Sequence, residues 1–239
     1  MTSTPKPRPV FIAALRREIA AVVKGEGWHA DHSKHARNIH IYLHDDAIVA
    51  CAGMGAARAS LAIEAALALG PASELISVGF AGSCNLVFKA GEVIRPGIII
   101  DAQTGERFFL ADPETTEAAE IVVTVDSPAG AVVKRRLGSS YSASAVDMEA
   151  ATVARIAQAH GLPFSAIKAI SDDIDFDLPD LQQFSTADGQ FLESEFALYL
   201  AIRPWLWKFA LTMAKGSRLA SERLRIAIEA HIQEHRGQE

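Results

Sequence analysis

The chain has 239 residues, 49% of them hydrophobic and 22% charged, ordinary proportions for one globular domain long enough to bury a full core. A formal net charge of −6 removes any whole-chain electrostatic reason to expect nucleic-acid binding. Two cysteines, Cys51 and Cys84, make no disulfide framework and fit a reducing compartment, and no stretch is apolar for long enough to span a bilayer. Residues 1–9 are rich in proline and lack the apolar core of a signal peptide, so they are expected to be a disordered cytoplasmic tail.

From there the chain alternates apolar runs with helical segments. Residues 10–14 read as a first buried strand, and a helix over 15–23 follows, ending near Gly25. Residues 28–44 hold five histidines, His29, His32, His35, His40 and His44. Converging imidazoles bind zinc, but neither a cysteine partner nor a His-Glu-x-x-His pattern is present, so an exposed hairpin or loop is the favoured reading and no metal is expected. Residues 39–43 alternate as a half-buried strand does, and 48–52 form another buried strand leading into Gly53-Met54-Gly55. The helix over 57–69 stops at Gly70-Pro71. A strand–Gly-x-Gly–helix joint offers backbone N–H groups to an anion, with Arg58 either neutralising a phosphate or lying on the surface. The third glycine of a dinucleotide fingerprint is absent.

Residues 74–83 form a strand with a glycine-rich exit, Gly79-Phe80-Ala81-Gly82-Ser83. Cys84 beside it reads as a small buried thiol rather than a nucleophile. Strands are expected over 97–101 and 121–125, with a hairpin continuation over 104–108. Ser127-Pro128 suits the N-cap and first turn of a helix ending near Gly138.

The densest chemistry lies in Val146-Asp147-Met148-Glu149-Ala150 and Ala169-Ile170-Ser171-Asp172. A helix over 150–160 starts at the first motif and stops at Gly161, with Pro163 beyond. The strand over 164–170 is nearly continuous in apolar residues and ends in Ser171-Asp172-Asp173. Carboxylates at the carboxyl end of a buried strand are where open α/β sheets hold ligands. Singly, Glu149 and Asp172 read as helix-start and turn acids. After Asp172 the chain is acidic and irregular to 180, then helical over 190–236, with Pro204 starting or kinking a helix and a charged amphipathic helix over 217–235. The class expected is α/β: a single domain with a central mixed sheet flanked by helices, over residues 10–185. A C-terminal helical extension, 186–239, packs on it or forms a subunit contact. The sharper alternative for Trp205, Trp207 and their neighbours is a groove for an apolar substrate or a weak membrane-surface contact.

The order Val-Asp-Met-Glu-Ala, helix, Pro-Phe, apolar strand, Ala-Ile-Ser-Asp resembles the purine nucleoside phosphorylase/nucleosidase superfamily, and most of all its methylthioadenosine/S-adenosylhomocysteine nucleosidase branch. Weaker echoes cover residues 10–172, among them Leu86 to Ile94. The C-terminal region is more similar to the hopanoid-biosynthesis branch, whose members act on a 5′-hopanyl adenosine. The resemblance implies cleavage of the N-glycosidic bond of a purine nucleoside bearing a 5′ substituent. It places Glu18 at the family's catalytic glutamate, although Arg16 and Arg17 stand where acids usually precede it. Gly79-Phe80-Ala81-Gly82 matches a segment whose usual phosphate-holding serine is Phe80 here, with Ser83 nearby as a substitute. It also sets backbone at Val125 and Asp126 against the base.

Such a reaction passes through an oxocarbenium-like ribose with negative charge growing on the base. The resemblance and this chemistry together assign Asp172 as the acid at purine N7, kept protonated by burial, and Ser171 as its orienter. Glu149, ionised, accepts from both ribose hydroxyls, Met148 packs on the sugar, and Glu18 activates water. If inorganic phosphate is the co-substrate instead, Arg16, Arg17 and Arg58 with the Gly53–Gly55 turn are its candidate holders, Arg16, Arg58 and Gly55 foremost. No other cofactor is expected, the partner is a small nucleoside, and a homo-oligomer is implied. The alternative is a catalytically silent nucleoside or lipid-nucleoside binding protein on the same fold.

Overall fold

The computed structural model describes residues 6–33, 38–110, 119–176, 182–184, 186 and 192–236. Its axis is β5 (Ala72–Ser83). β5 pairs in parallel with β1 (Arg8–Ala13) and with β11 (Phe164–Asp172), the latter from Leu75 to Gly82. Outward from β1 lie β4 (Ala47–Cys51), β3 (His40–His44) and β2 (His29–Ala30). On the other side the end of β5 meets β10 (Ala145–Asp147), followed by β9 (Ile121–Thr124), β7 (Ile98–Asp101) and β8 (Arg107–Phe109). The short β6 (Val93–Ile94) borders β11. Parallel and antiparallel pairs coexist, so the sheet is mixed, as expected.

Strand residues alternate between two faces, and the apolar runs supply both. Val10 and Ile12 point to one face, under α2 (Ala56–Leu67) and α4 (Ala150–Ala159), where Ala62, Ile63, Val153 and Ala157 cover them. Phe11 and Ala13 point to the other, under α1 (Arg16–Ile19) and α6 (Trp207–Arg236). α6 presents Ala220, Leu224, Ile228 and Ile232, four residues apart and hence on one stripe, to Phe11, Ile76 and Ile167. His231 fastens the helix further, its Nε2 lying 3.0 Å from Glu74 Oε2. α3 (Ala131–Tyr141) packs Leu137 against Val123 and Val146. α5 (Glu193–Ala201) joins Phe184 in a separate apolar cluster with Leu15, Met54, Phe209 and Met213.

Three expected helices have different bounds. The helix over 15–23 is only α1, because the Glu18 carboxylate folds back to accept from the Ala14 and Leu15 N–H groups, making a capped turn. α3 starts at Ala131 behind Gly130 rather than at Ser127-Pro128, which instead belong to a loop. α6 begins ten residues before 217, directly after the 3₁₀ turn Pro204–Leu206. Among the described residues no helix is long and apolar enough to cross a membrane.

Gly216 explains how α6 passes so near β11. A Cβ there would lie 2.2 Å from the Ser171 carbonyl oxygen, backbone that cannot swing away. Gly216→Ala should therefore lose about 1–3 kcal/mol of stability through overpacking, read as a lower Tm, despite alanine's better helix propensity.

Candidate active site

The carboxyl ends of β1, β5 and β11, with the segments following β9 and β10, enclose a cleft of about 850 Å³, open solvent included. Glu18 lines it although the residue is only 4% exposed. Its Oε2 accepts from Ala14 N at 3.0 Å and Leu15 N at 2.9 Å, and its Oε1 from Phe80 N at 3.2 Å. Burial raises its pKa above the usual carboxylate value, and these N–H groups partly offset that. Gly79, at φ +141°, leaves the carboxylate its room, since a Cβ there would come 3.0 Å from Oε2.

Glu149 forms the opposite support. It precedes the first turn of α4, and its Oε1 accepts from Gly55 N at 2.7 Å, so the expected anion-binding amide is already used by a carboxylate. Burial first, and the Asp147 charge next, push its pKa up to about 8. Burial and the neighbouring charge thus favour the protonated carboxyl over the expected ionised acceptor. A carboxyl in that form still hydrogen-bonds sugar hydroxyls, as donor and acceptor.

Asp147 is the group that sequence reasoning undervalued. It is the last residue of β10, with its side chain fully buried. Lys168 Nζ, equally buried, lies 2.7 Å from Asp147 Oδ2 and donates to Ser77 Oγ at 2.9 Å. Thr124 Oγ1 donates to Asp147 Oδ1 at 2.6 Å, and Ala150 N to Oδ2 at 2.8 Å. This network lies directly beneath Met148 and Glu149. Its visible signal was a lone lysine inside the apolar strand of residues 164–170.

Asp172 stands at the end of β11 on the cleft wall. Ser171 Oγ donates to its Oδ1 at 2.6 Å and also lies 3.4 Å from the Ala81 carbonyl, which matches the expected pairing of the two side chains. The surroundings differ from an isolated buried acid, because Lys134 Nζ from α3 is paired with Asp172 Oδ2. That lysine shares the buried face of α3 with Ala131 and Leu137, a three-residue spacing that marks it in retrospect.

Met148, Phe80, Ala81, Gly82 and Val125 also line the cleft, as expected, whereas Asp126 is exposed outside it. Pro128 and Ala129 take the place foreseen for Asp126. The expected phosphate holders do not converge. Arg16 is exposed and away from the cleft lining, Arg58 is buried in α2 outside it, and Gly55 is committed to Glu149. Of the candidate arginines, Arg17 alone lines the cleft. Ser83 is fully buried and donates to the Asn85 carbonyl at 2.8 Å, so it does not replace the missing serine. Cys51 and Cys84 are buried thiols with pKa values pushed up to about 12, inert as nucleophiles. His35 lies outside the described residues. Among the described residues, donor atoms suited to a metal gather at Glu74, His231 and His235, not in the histidine-rich hairpin.

Fold and cleft together define an α/β protein with a carboxylate-lined cleft at the carboxyl ends of its central strands. The phosphorylase superfamily model matches residues 9–131 and 120–197, and the chain belongs to that family. No curated protein matches it significantly. Among solved structures it is similar to 5′-methylthioadenosine nucleosidase of Arabidopsis thaliana, at 18% identity and TM-score 0.66, over 94% of this chain and 96% of that one. It is also similar to the 5′-methylthioadenosine/S-adenosylhomocysteine nucleosidase of Helicobacter pylori, at 16% identity and TM-score 0.63 over 94% and 98%. Futalosine hydrolase of Helicobacter pylori gives 18% identity and TM-score 0.61 over 94% and 98%. At these identities the likeness is one of fold.

Two outcomes follow from the buried charges. Lys168→Met leaves Asp147 buried without its cation and should cost about 3–5 kcal/mol in urea unfolding, whereas the double change with Asp147→Asn should recover part of that loss. Glu149 carries a folded pKa above its unfolded value of 4.5, so the native state holds the extra proton and loses stability as pH rises from about 4.5 to about 8. Wild-type Tm should fall more steeply than that of Glu149→Gln between pH 5 and 8; parallel slopes would remove Glu149 as the titrating group.

Proposed function

We propose that this protein cleaves the N-glycosidic bond of a 5′-substituted adenosine, with Asp172 serving the purine and Glu149 the ribose hydroxyls. The observation that carries this reading is the meeting of Glu18, Glu149 and Asp172 on one cleft from three distant parts of the chain. The wall between them is apolar, with Met148 for the sugar and Phe80 and Val125 for a flat base. Breaking the bond leaves positive charge on the ribose and sends the electron pair into the base, so an acid is needed at the purine and an activated acceptor on the other side of the sugar.

Water fits the acceptor role better than phosphate. Glu18 offers a general base, and a carboxylate at that position repels a phosphate dianion. Arg17 is the feature that favours phosphate, as the one arginine lining this cleft among the described residues. The 5′ group is proposed to be apolar. Leu15 and Met54 lead from the cleft into the Phe184, Phe196 and Leu200 cluster, and Met213 and Phe176 border the same end. Beyond it Trp205 and Leu211 are 74% and 72% exposed. A long apolar substituent, such as the hopanyl group of the hopanoid branch, suits that surface better than a methylthio group alone.

The test is base release from methylthioadenosine, S-adenosylhomocysteine, adenosine, inosine and an adenosine with a long apolar 5′ chain, each with and without phosphate. Adenine and free ribose product are expected without phosphate, fastest for the apolar substrate. Asp172→Asn and Glu18→Gln should each lower kcat by 100-fold or more while nucleoside binding persists. Ribose 1-phosphate formed only with phosphate would overturn the hydrolytic reading. Release from none of these substrates would leave a binding protein.

A further inference from the structure

The purine-side carboxylate is not alone. Lys134 is 1% exposed, yet its ammonium nitrogen borders the cleft and pairs with Asp172 Oδ2. Two further donors go to the Asp173 and Phe176 carbonyls, each at 3.1 Å. All three ammonium N–H groups are thus directed, and the charge is fixed at one spot. Gly82 makes the approach possible: a Cβ there would lie 2.8 Å from Lys134 Cε and 3.1 Å from Asp172 Oδ2. A charge this deeply buried is costly to keep, and a buried ion pair as a rule adds little stability over apolar side chains of similar volume.

We propose that Lys134 is the proton reservoir of the leaving-group acid, a positioning residue that acts on the purine through Asp172. This rests on the function proposed above. In the ion-paired form the proton resides on nitrogen and Asp172 is a carboxylate. As C1′–N9 breaks, its electron pair stays with the purine. A proton passes from Lys134 Nζ to the Asp172 carboxylate, and from that carboxyl to N7. Asp172 ends as it began, Lys134 becomes a neutral amine, and the base leaves neutral. One positive charge is lost at Nζ as one appears on the ribose, so the net charge of a poorly solvated site stays constant through the step. Ser171 fixes the carboxyl rotamer from its other oxygen. After product release the amine takes a proton from water.

A nucleoside already methylated at N7 separates this role from a structural one. Its base leaves without needing a proton, so the reservoir is irrelevant to it. Lys134→Met should lose about 100-fold in kcat on the apolar-substituted adenosine with KM changed little and remain within a few-fold of wild type on the N7-methylated analogue, and Lys134→Arg should recover none of the loss, because its guanidinium keeps the charge but does not release a proton. Lys134→Gln, which keeps a long polar side chain but has no ammonium proton to give, should show the same selective loss and serves if Lys134→Met does not fold. Equal loss on both substrates, or no loss on either, overturns the proposal while the cleavage function stands. Failure of the wild-type protein to cleave either substrate overturns the function and this inference with it.

Discussion

The ion pair between Lys168 and Asp147 is the constraint on which this molecule turns. Two full charges lie in the middle of the sheet, 2.7 Å apart and closed off from solvent. Such a pair is tolerable only when its remaining donors and acceptors are occupied, and here Ser77, Thr124 and the Ala150 amide occupy them. These partners come from β5, β9 and the start of α4, and the pair itself from β11 and β10. The pair therefore ties five elements together, and the place where they are tied is the floor of the cleft. It also acts on Glu149, whose pKa burial raises first: the Asp147 charge raises it further and the Lys168 charge lowers it, so the geometry and electrostatics of the site are linked.

The cleft's carboxyl groups are kept in different states by different means. Glu18 is buried but cradled by three backbone N–H groups. Glu149 is buried beside a like charge, and both raise its pKa. Asp172 is less buried and faces a cation. Three acids of similar intrinsic strength thus sit in one cleft with distinct electrical roles. Reactions that build opposite charges on two halves of a substrate demand that separation.

The C-terminal helices play two parts. The stripe from Ala220 to Ile232 completes the hydrophobic core under β1, β5 and β11, with Glu74 and His231 as its polar fastening. The earlier turns, with α5 and Phe184, form an apolar annex reached from the cleft through Leu15 and Met54. One continuous helix therefore couples core stability to the shape of the substrate end, and Gly216 marks where it passes closest to Ser171.

The sequence by itself determined the α/β class, most strand positions, and the placing of Glu149 and Asp172 at element ends. Periodicity and turn residues are local properties, and continuous apolar runs such as residues 164–170 announce strands buried on both faces. The motif order carried the family as well, and Glu18 with it. What only the tertiary structure decided is which charges meet. Lys134 and Asp172 are 38 residues apart, Lys168 and Ser77 are 91 apart, and Gly55 and Glu149 are 94 apart, so no local pattern links them. The same limit moved the phosphate candidates: Arg16 and Arg58 neighbour the right motifs in sequence, but a helix turns each of them away from the cleft while Arg17, one residue on, reaches it. Side-chain direction along a helix changes by about 100° per residue, and the packing partner, not the chain, chooses which direction faces the site.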